Sequence, residues 1–155
     1  MATPHRLVLD AGALRVLGAA GLTALAGRAE TPILTPHEGE FRTLFGDGKG
    51  GKVQRALEAA ARANAVIVYK GADTVVAAPD GRAAIGPPAP AWLASAGTGD
   101  VLAGIAAAMR AGGMEAFDAA CASVWLHGRA AALAGPWLIA DDLLASLPAA
   151  LTECL

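Results

Sequence analysis

Short apolar runs alternate with segments of helical periodicity, and this alternation restricts the chain more than any other feature. Residues 6–10 (RLVLD), 32–35 (PILT) and 66–69 (VIVY) have the length and composition of strands. Helical spacing separates them. Residues 13–25 place Leu14, Leu17, Leu22 and Leu25 on turns interrupted by glycines, a second segment carries Phe41, Leu44 and Phe45 ahead of Gly46, and residues 53–65 align Val53, Leu57 and Ala61. VIVY is apolar throughout, which predicts a strand covered on both faces. The turn Pro79-Asp80-Gly81, between 74–78 and 83–85, predicts a hairpin after it. Beyond the rigid loop 86–90 (GPPAP) the spacing predicts helices over 101–111, 116–134 and 141–147, the last stopped by Pro148. Strands alternating with helices make an α/β layer structure with a mostly parallel sheet.

At 155 residues the chain is one domain, long enough to bury a core without disulfides or metal. Although 55% of its residues are hydrophobic, only 5% are aromatic, so small and aliphatic side chains must fill the interior and helices must approach the sheet closely. The net charge of -2 comes from interspersed acids and bases, which excludes a nucleic-acid footprint or a basic membrane patch and favours a small-molecule partner. Cys121 and Cys154 lack metal-ligand spacing and read as reduced thiols in a cytoplasm. Residues 16–26 (VLGAAGLTALA) imitate the apolar part of an export signal, but Asp10 and Arg15 stand where such a signal is basic and free of acids. No apolar run approaches the ~20 residues of a membrane helix.

Three motifs carry chemistry, each with a plainer alternative. In residues 94–104 (ASAGTGDVLAG), Gly97, Thr98 and Gly99 precede a helix, where free amides and the helix dipole favour a phosphate. Asp100 there is either a helix cap or a general base facing a reacting hydroxyl. Residues 35–41 (TPHEGEF) follow a strand at the edge where open α/β sheets collect ligands. His37 could bond a polar ligand and Glu40 could hold a water on a metal ion, or both could simply start a helix. In residues 69–74 (YKGADT) the small residues admit a nucleotide close to the backbone with Lys70 meeting its phosphates; a hairpin turn with one exposed lysine is the alternative. His127, in the apolar run VWLHG, reads as structural, and Trp92, Trp125 and Trp137 are too scattered to form a stacking platform.

TPHEGEF, VIVYKGADTVVAAPDGR, ASAGTGDVLAGI, WLHG and ADDLLASLP, in this order, resemble the catalytic domain of the ADP-dependent NAD(P)H-hydrate dehydratases. The resemblance covers nearly the whole chain. It implies a ribokinase-like three-layer sandwich, with a nucleotide held by Lys70, Gly71, Ala72, Asp73, Thr74 and Gly99. It also implies contacts of His37 and Asp100 with hydrated NADH or NADPH, Asp100 as general base, phosphate binding by Gly97, Thr98 and Gly99, and ADP (or ATP) with Mg2+. A cytoplasmic homo-oligomer is expected. The family's longer N-terminal portion precedes the LDA segment, so the resemblance makes this a partial domain truncated at that end. Two departures stand out: Gly12 replaces an acid in LDAGAL, and GPPAPAWLAS replaces an asparagine- and glycine-rich loop. A noncatalytic nucleotide-binding module and a small-molecule kinase acting on a hydroxyl are the alternative readings.

Overall fold

The computed structural model describes residues 5–154. Its five strands are β1 (Val8–Leu9), β2 (Ile33–Leu34), β3 (Val66–Tyr69), β4 (Val75–Ala77) and β5 (Ala83–Ile85). They lie side by side in chain order. The pairs β1–β2 and β2–β3 are parallel, while β3–β4 and β4–β5 are antiparallel. Four of the five strands therefore point one way, as expected of a mostly parallel sheet. The six helices are α1 (Ala11–Ala26), α2 (Glu38–Phe45), α3 (Lys52–Ala63), α4 (Thr98–Ala111), α5 (Ala116–Ala134) and α6 (Ala140–Thr152).

The central strand shows why the chain must be layered on both faces. Ile67 and Tyr69 join one core with Leu14 and Leu22 of α1, Phe41 of α2, and Ala56, Ala60 and Ala63 of α3. Val66 and Val68 face the other way, into a core with Leu102 and Ala106 of α4 and Ala119 and Ala120 of α5. Alternation along one strand thus builds a three-layer sandwich. α6 adds a third cluster, where Leu143 and Ala150 pack with Val101, Ile105, Leu126 and Ala130. The alanine faces of α3 and α5 let the helices lie close to the sheet, consistent with the scarcity of aromatic residues. Among the described residues the closest aromatic pair is Phe41 and Tyr69, stacked nearly parallel with ring centroids 3.9 Å apart.

Three boundaries differ from the sequence reading. α1 is broken at Gly18, whose φ of 58° is not helical, so its glycine interruption is a true kink. α4 begins at Thr98, three residues earlier than the apolar spacing indicates, because Gly97 supplies the left-handed φ of 83° that turns the chain into the helix. α6 runs through Pro148 to Thr152 instead of stopping there. Proline removes one backbone donor and crowds the preceding turn, but Leu143 and Ala150 are buried on either side of it. The Thr152 hydroxyl also donates to the Pro148 carbonyl at 2.9 Å. Tertiary packing outweighs the local preference.

Candidate functional site

Parallel pairing places the ends of β1, β2 and β3 along one edge, and the residues that follow each strand meet the start of α4 there. Asp10 follows β1, the turn Thr35-Pro36-His37 follows β2, and Lys70-Gly71 follows β3. The Lys70 amide donates to the Pro36 carbonyl at 2.9 Å, tying the second and third of these ends together. The Lys70 ammonium lies 2.7 Å from Asp10 Oδ1, with side chains only 19% and 10% exposed. A cavity of about 550 Å³ opens over this edge, within the range of small-molecule sites.

The start of α4 forms one wall. Gly97 must be glycine twice over, since its φ is positive and an added Cβ would lie 3.1 Å from the Ala140 Cβ. Thr98 is buried, and its hydroxyl lies 2.8 Å from the carbonyls of both Leu93 and Ser95. His127 reaches over from α5, with Nε2 donating to the Thr98 carbonyl at 2.8 Å. Burial pushes the His127 imidazole below its ordinary pKa and the Lys70 charge adds to that, against the opposing hydrogen bond to Thr98. The helix has no side-chain cap, so the amides of Gly99 and Asp100 keep the exposed donors that an anion can use.

His37 caps α2. Its Nδ1 accepts from the amides of Gly39 at 3.0 Å and Glu40 at 3.3 Å, while its own amide donates to Glu40 Oε2 at 3.0 Å. An accepting Nδ1 makes Nε2 the ring's donor, and that nitrogen lies 3.6 Å from Glu40 Oε1. The helix-start and ligand readings of TPHEGEF are therefore compatible. Beneath this turn, Glu38 accepts from the Tyr69 hydroxyl and from Arg55. Burial and that carboxylate push the Tyr69 phenol up to about 12.

Of the residues singled out in sequence, His37, Lys70, Gly71 and Ala72 line the cavity, and so do Thr74, Thr98 and Gly99. Thr74 also closes the turn after β3, its hydroxyl donating to the Gly71 carbonyl at 2.9 Å. Asp73 is turned toward Lys52, 2.7 Å away, and does not line the cavity. Gly97 acts through its backbone turn. Asp100 is the third residue of α4, exposed, and engaged in no hydrogen bond or ion pair among the described residues, so Gly97 and not Asp100 occupies the cap position. Sequence reasoning missed Asp10, although an acid ending the first strand was a legible signal. His127, read as structural, is buried against the Thr98 carbonyl and also lines the cavity. Its signal, a histidine on an apolar helix face, does not distinguish the two roles. None of the three tryptophans lines the cavity. No helix among the described residues is long and apolar enough to cross a membrane.

Comparison with known proteins shows the family and the fold. The sequence model of the carbohydrate-kinase-type family described as NAD(P)H-hydrate dehydratase matches residues 1–147. An ADP-dependent (S)-NAD(P)H-hydrate dehydratase from Neisseria meningitidis is 42% identical over 135 residues, covering 83% of this chain and 45% of its own length. An ADP/ATP-dependent NAD(P)H-hydrate dehydratase from Bacillus subtilis, co-crystallised with ATP and Mg2+, superposes with a TM-score of 0.83 at 33% identity. That match covers 97% of this chain and 56% of the other. A ribokinase-like superfamily protein from Enterococcus faecalis, at 21% identity, shares the fold with a TM-score of 0.74 and covers 96% and 53% of the two chains. The chain spans less than half the length of the curated relatives it matches.

Proposed function

Because the chain belongs to the NAD(P)H-hydrate dehydratase family, we propose that it carries the nucleotide and phosphoryl subsites for ADP-dependent dehydration of hydrated NADH or NADPH. The observation that carries this reading is the convergence of Lys70, the small Gly71-Ala72 turn and the uncapped start of α4 on one cavity. A nucleoside diphosphate needs a cation, a close backbone approach and free amides, and these elements supply them.

Hydroxide leaves poorly, so the hydroxyl of the hydrated ring is converted to a better leaving group. Asp100 accepts its proton as the oxygen takes the terminal phosphoryl group of ADP, leaving AMP; the C–O bond then breaks as phosphate departs, the adjacent ring carbon gives its proton to water, and the ring double bond returns. The amides of Gly99 and Asp100 stabilise charge on the transferring group. His37, through Nε2, orients the hydrated nicotinamide. Lys70 binds the nucleotide phosphates, and Gly71, Ala72 and Thr74 shape the nucleotide wall, with Asp73 at its rim.

Magnesium on a nucleotide takes most ligands from phosphate and water and needs only one or two carboxylates. Among the described residues no three His, Cys, Asp or Glu side chains cluster, so the ion would take its ligands mainly from phosphate and water. Glu40 is buried, engaged by His37 and outside the cavity lining, so it does not fit the role of holding a water on the ion, which would offset phosphate charge.

Hydrated NADH incubated with the chain and ADP should recover the reduced-nicotinamide absorbance with AMP and phosphate as coproducts. Asp100→Asn should keep ADP binding while losing at least a hundredfold in turnover. ADP binding by a folded wild-type chain without any recovery would instead favour the noncatalytic nucleotide-binding module, and a stable phosphorylated product would favour a kinase.

A further inference from the structure

Lys70 is the one lysine or arginine lining the cavity among the described residues, yet it is already neutralised. Asp10 Oδ1 lies 2.7 Å from its ammonium, and both side chains are largely buried, so bulk water screens this pair little. Asp10 is not part of the cavity lining and approaches Lys70 from the β1 side. The third partner is the first turn of α4: a Cβ added at Gly99 would lie 3.4 Å from Lys70 Nζ and 3.7 Å from Asp10 Oδ2. Both charges of the pair therefore border the turn whose amides are free.

Resting on the nucleotide-site reading above, we propose that Asp10 is a positioning residue that aims the Lys70 ammonium at the phosphates and at the same time weakens anion binding. A phosphate arriving at the α4 start is attracted by Lys70 and by the helix terminus but repelled by the Asp10 carboxylate behind them. One unit charge at roughly 6 Å, with an effective dielectric of roughly 20–40, changes anion affinity at least about tenfold. What the site gives up in affinity it gains in a fixed ammonium, and orientation rather than ground-state binding is what accelerates transfer.

An ordinary structural ion pair makes the opposite prediction for ligand affinity, so the test is a split between binding and turnover. ADP and uncharged adenosine are titrated calorimetrically into wild type, Asp10→Asn and Asp10→Glu at low salt with a chelator present, and turnover is measured separately with Mg2+ and hydrated NADH. The expected result is ADP binding at least about tenfold tighter in Asp10→Asn, adenosine unchanged, and turnover reduced at least tenfold. Asp10→Glu should keep the wild-type ADP affinity within about twofold. Should Asp10→Asn lack a cooperative melt, Asp10→Ser gives the same readout and the same expected tightening. ADP affinity that is unchanged or weakened in the neutral variant overturns the proposal while leaving the nucleotide site standing. A folded wild type that binds no ADP removes both.

Discussion

Gly99 offers a substitution in which stability and binding should move in opposite directions. Glycine in a helix costs about 0.5–1 kcal/mol relative to alanine, and at the second residue of α4 roughly half of that is recoverable because the turn is not fully hydrogen-bonded. The backbone raises no objection, since Gly99 is not among the positive-φ residues. Nor does packing: the nearest atom to an added Cβ is Lys70 Nζ at 3.4 Å, the far end of a flexible side chain. Gly99→Ala should therefore stabilise by about 0.5 kcal/mol, or raise Tm by roughly 1–2 °C for a chain of this size. The same methyl would lie within 4 Å of both Lys70 Nζ and Asp10 Oδ2, where the proposed phosphate binds. Losing one charge-assisted hydrogen bond, worth about 1.5–3 kcal/mol, should weaken ADP binding more than tenfold. Urea denaturation and calorimetric titration of ADP read the two quantities on one sample. Unchanged ADP affinity would refute the placement of the phosphate at this turn. Destabilisation by more than about 1 kcal/mol would show that the turn has no room for a side chain.

Gly97→Ala should behave in the opposite sense to Gly99→Ala, losing about 2 kcal/mol in urea denaturation from a positive φ combined with a Cβ contact of 3.1 Å. His127 has its folded pKa depressed by burial, so the stability it contributes is fully present above about pH 6.5 and is lost as the pH falls from there through its folded value. Urea midpoints should drop over that window in wild type, and the drop should be smaller in His127→Gln, which has no imidazole to protonate but keeps a donor for the Thr98 carbonyl. Tyr69 is the chain's single tyrosine, so ultraviolet titration reports it alone. Its phenol should ionise near 12 in the folded protein and lower in Glu38→Gln, though still above its ordinary value because burial, the larger cause, persists. Because that pKa is raised, the associated stability is complete below about pH 10 and is lost as the pH climbs toward 12.

The layers were legible because period and length agree: VIVY is too short for a helix and too apolar for a one-sided strand, and it became the buried β3. Boundaries were less legible where a nonlocal partner decides them. The start of α4 depends on the φ of Gly97 and on Thr98 bonding to Leu93 and Ser95, none of which appears in apolar spacing. Pro148 read as a stop because local rules omit the burial of Leu143 and Ala150 on either side. At the site, the spacing could not show that Asp73 turns toward Lys52 while Asp10, 60 positions before Lys70, meets that lysine's ammonium.

That long separation explains how one small edge brings opposing charges together. Parallel strands deliver their carboxyl ends to the same side, so an acid after β1 and a lysine after β3 meet without any local sequence signal. A Cβ at position 99 would touch both members of the pair, and the positive φ at 97 favours glycine where α4 starts. The two glycines of GTGD's flank thus serve different ends, one conformational and one steric. It follows that Asp100 owes its position to Gly97, and that loss of turnover in Gly97→Ala at temperatures where it remains folded should exceed its loss of ADP affinity. If Asp100 is the base proposed above, its displacement harms proton transfer first, whereas equal losses would place the base elsewhere.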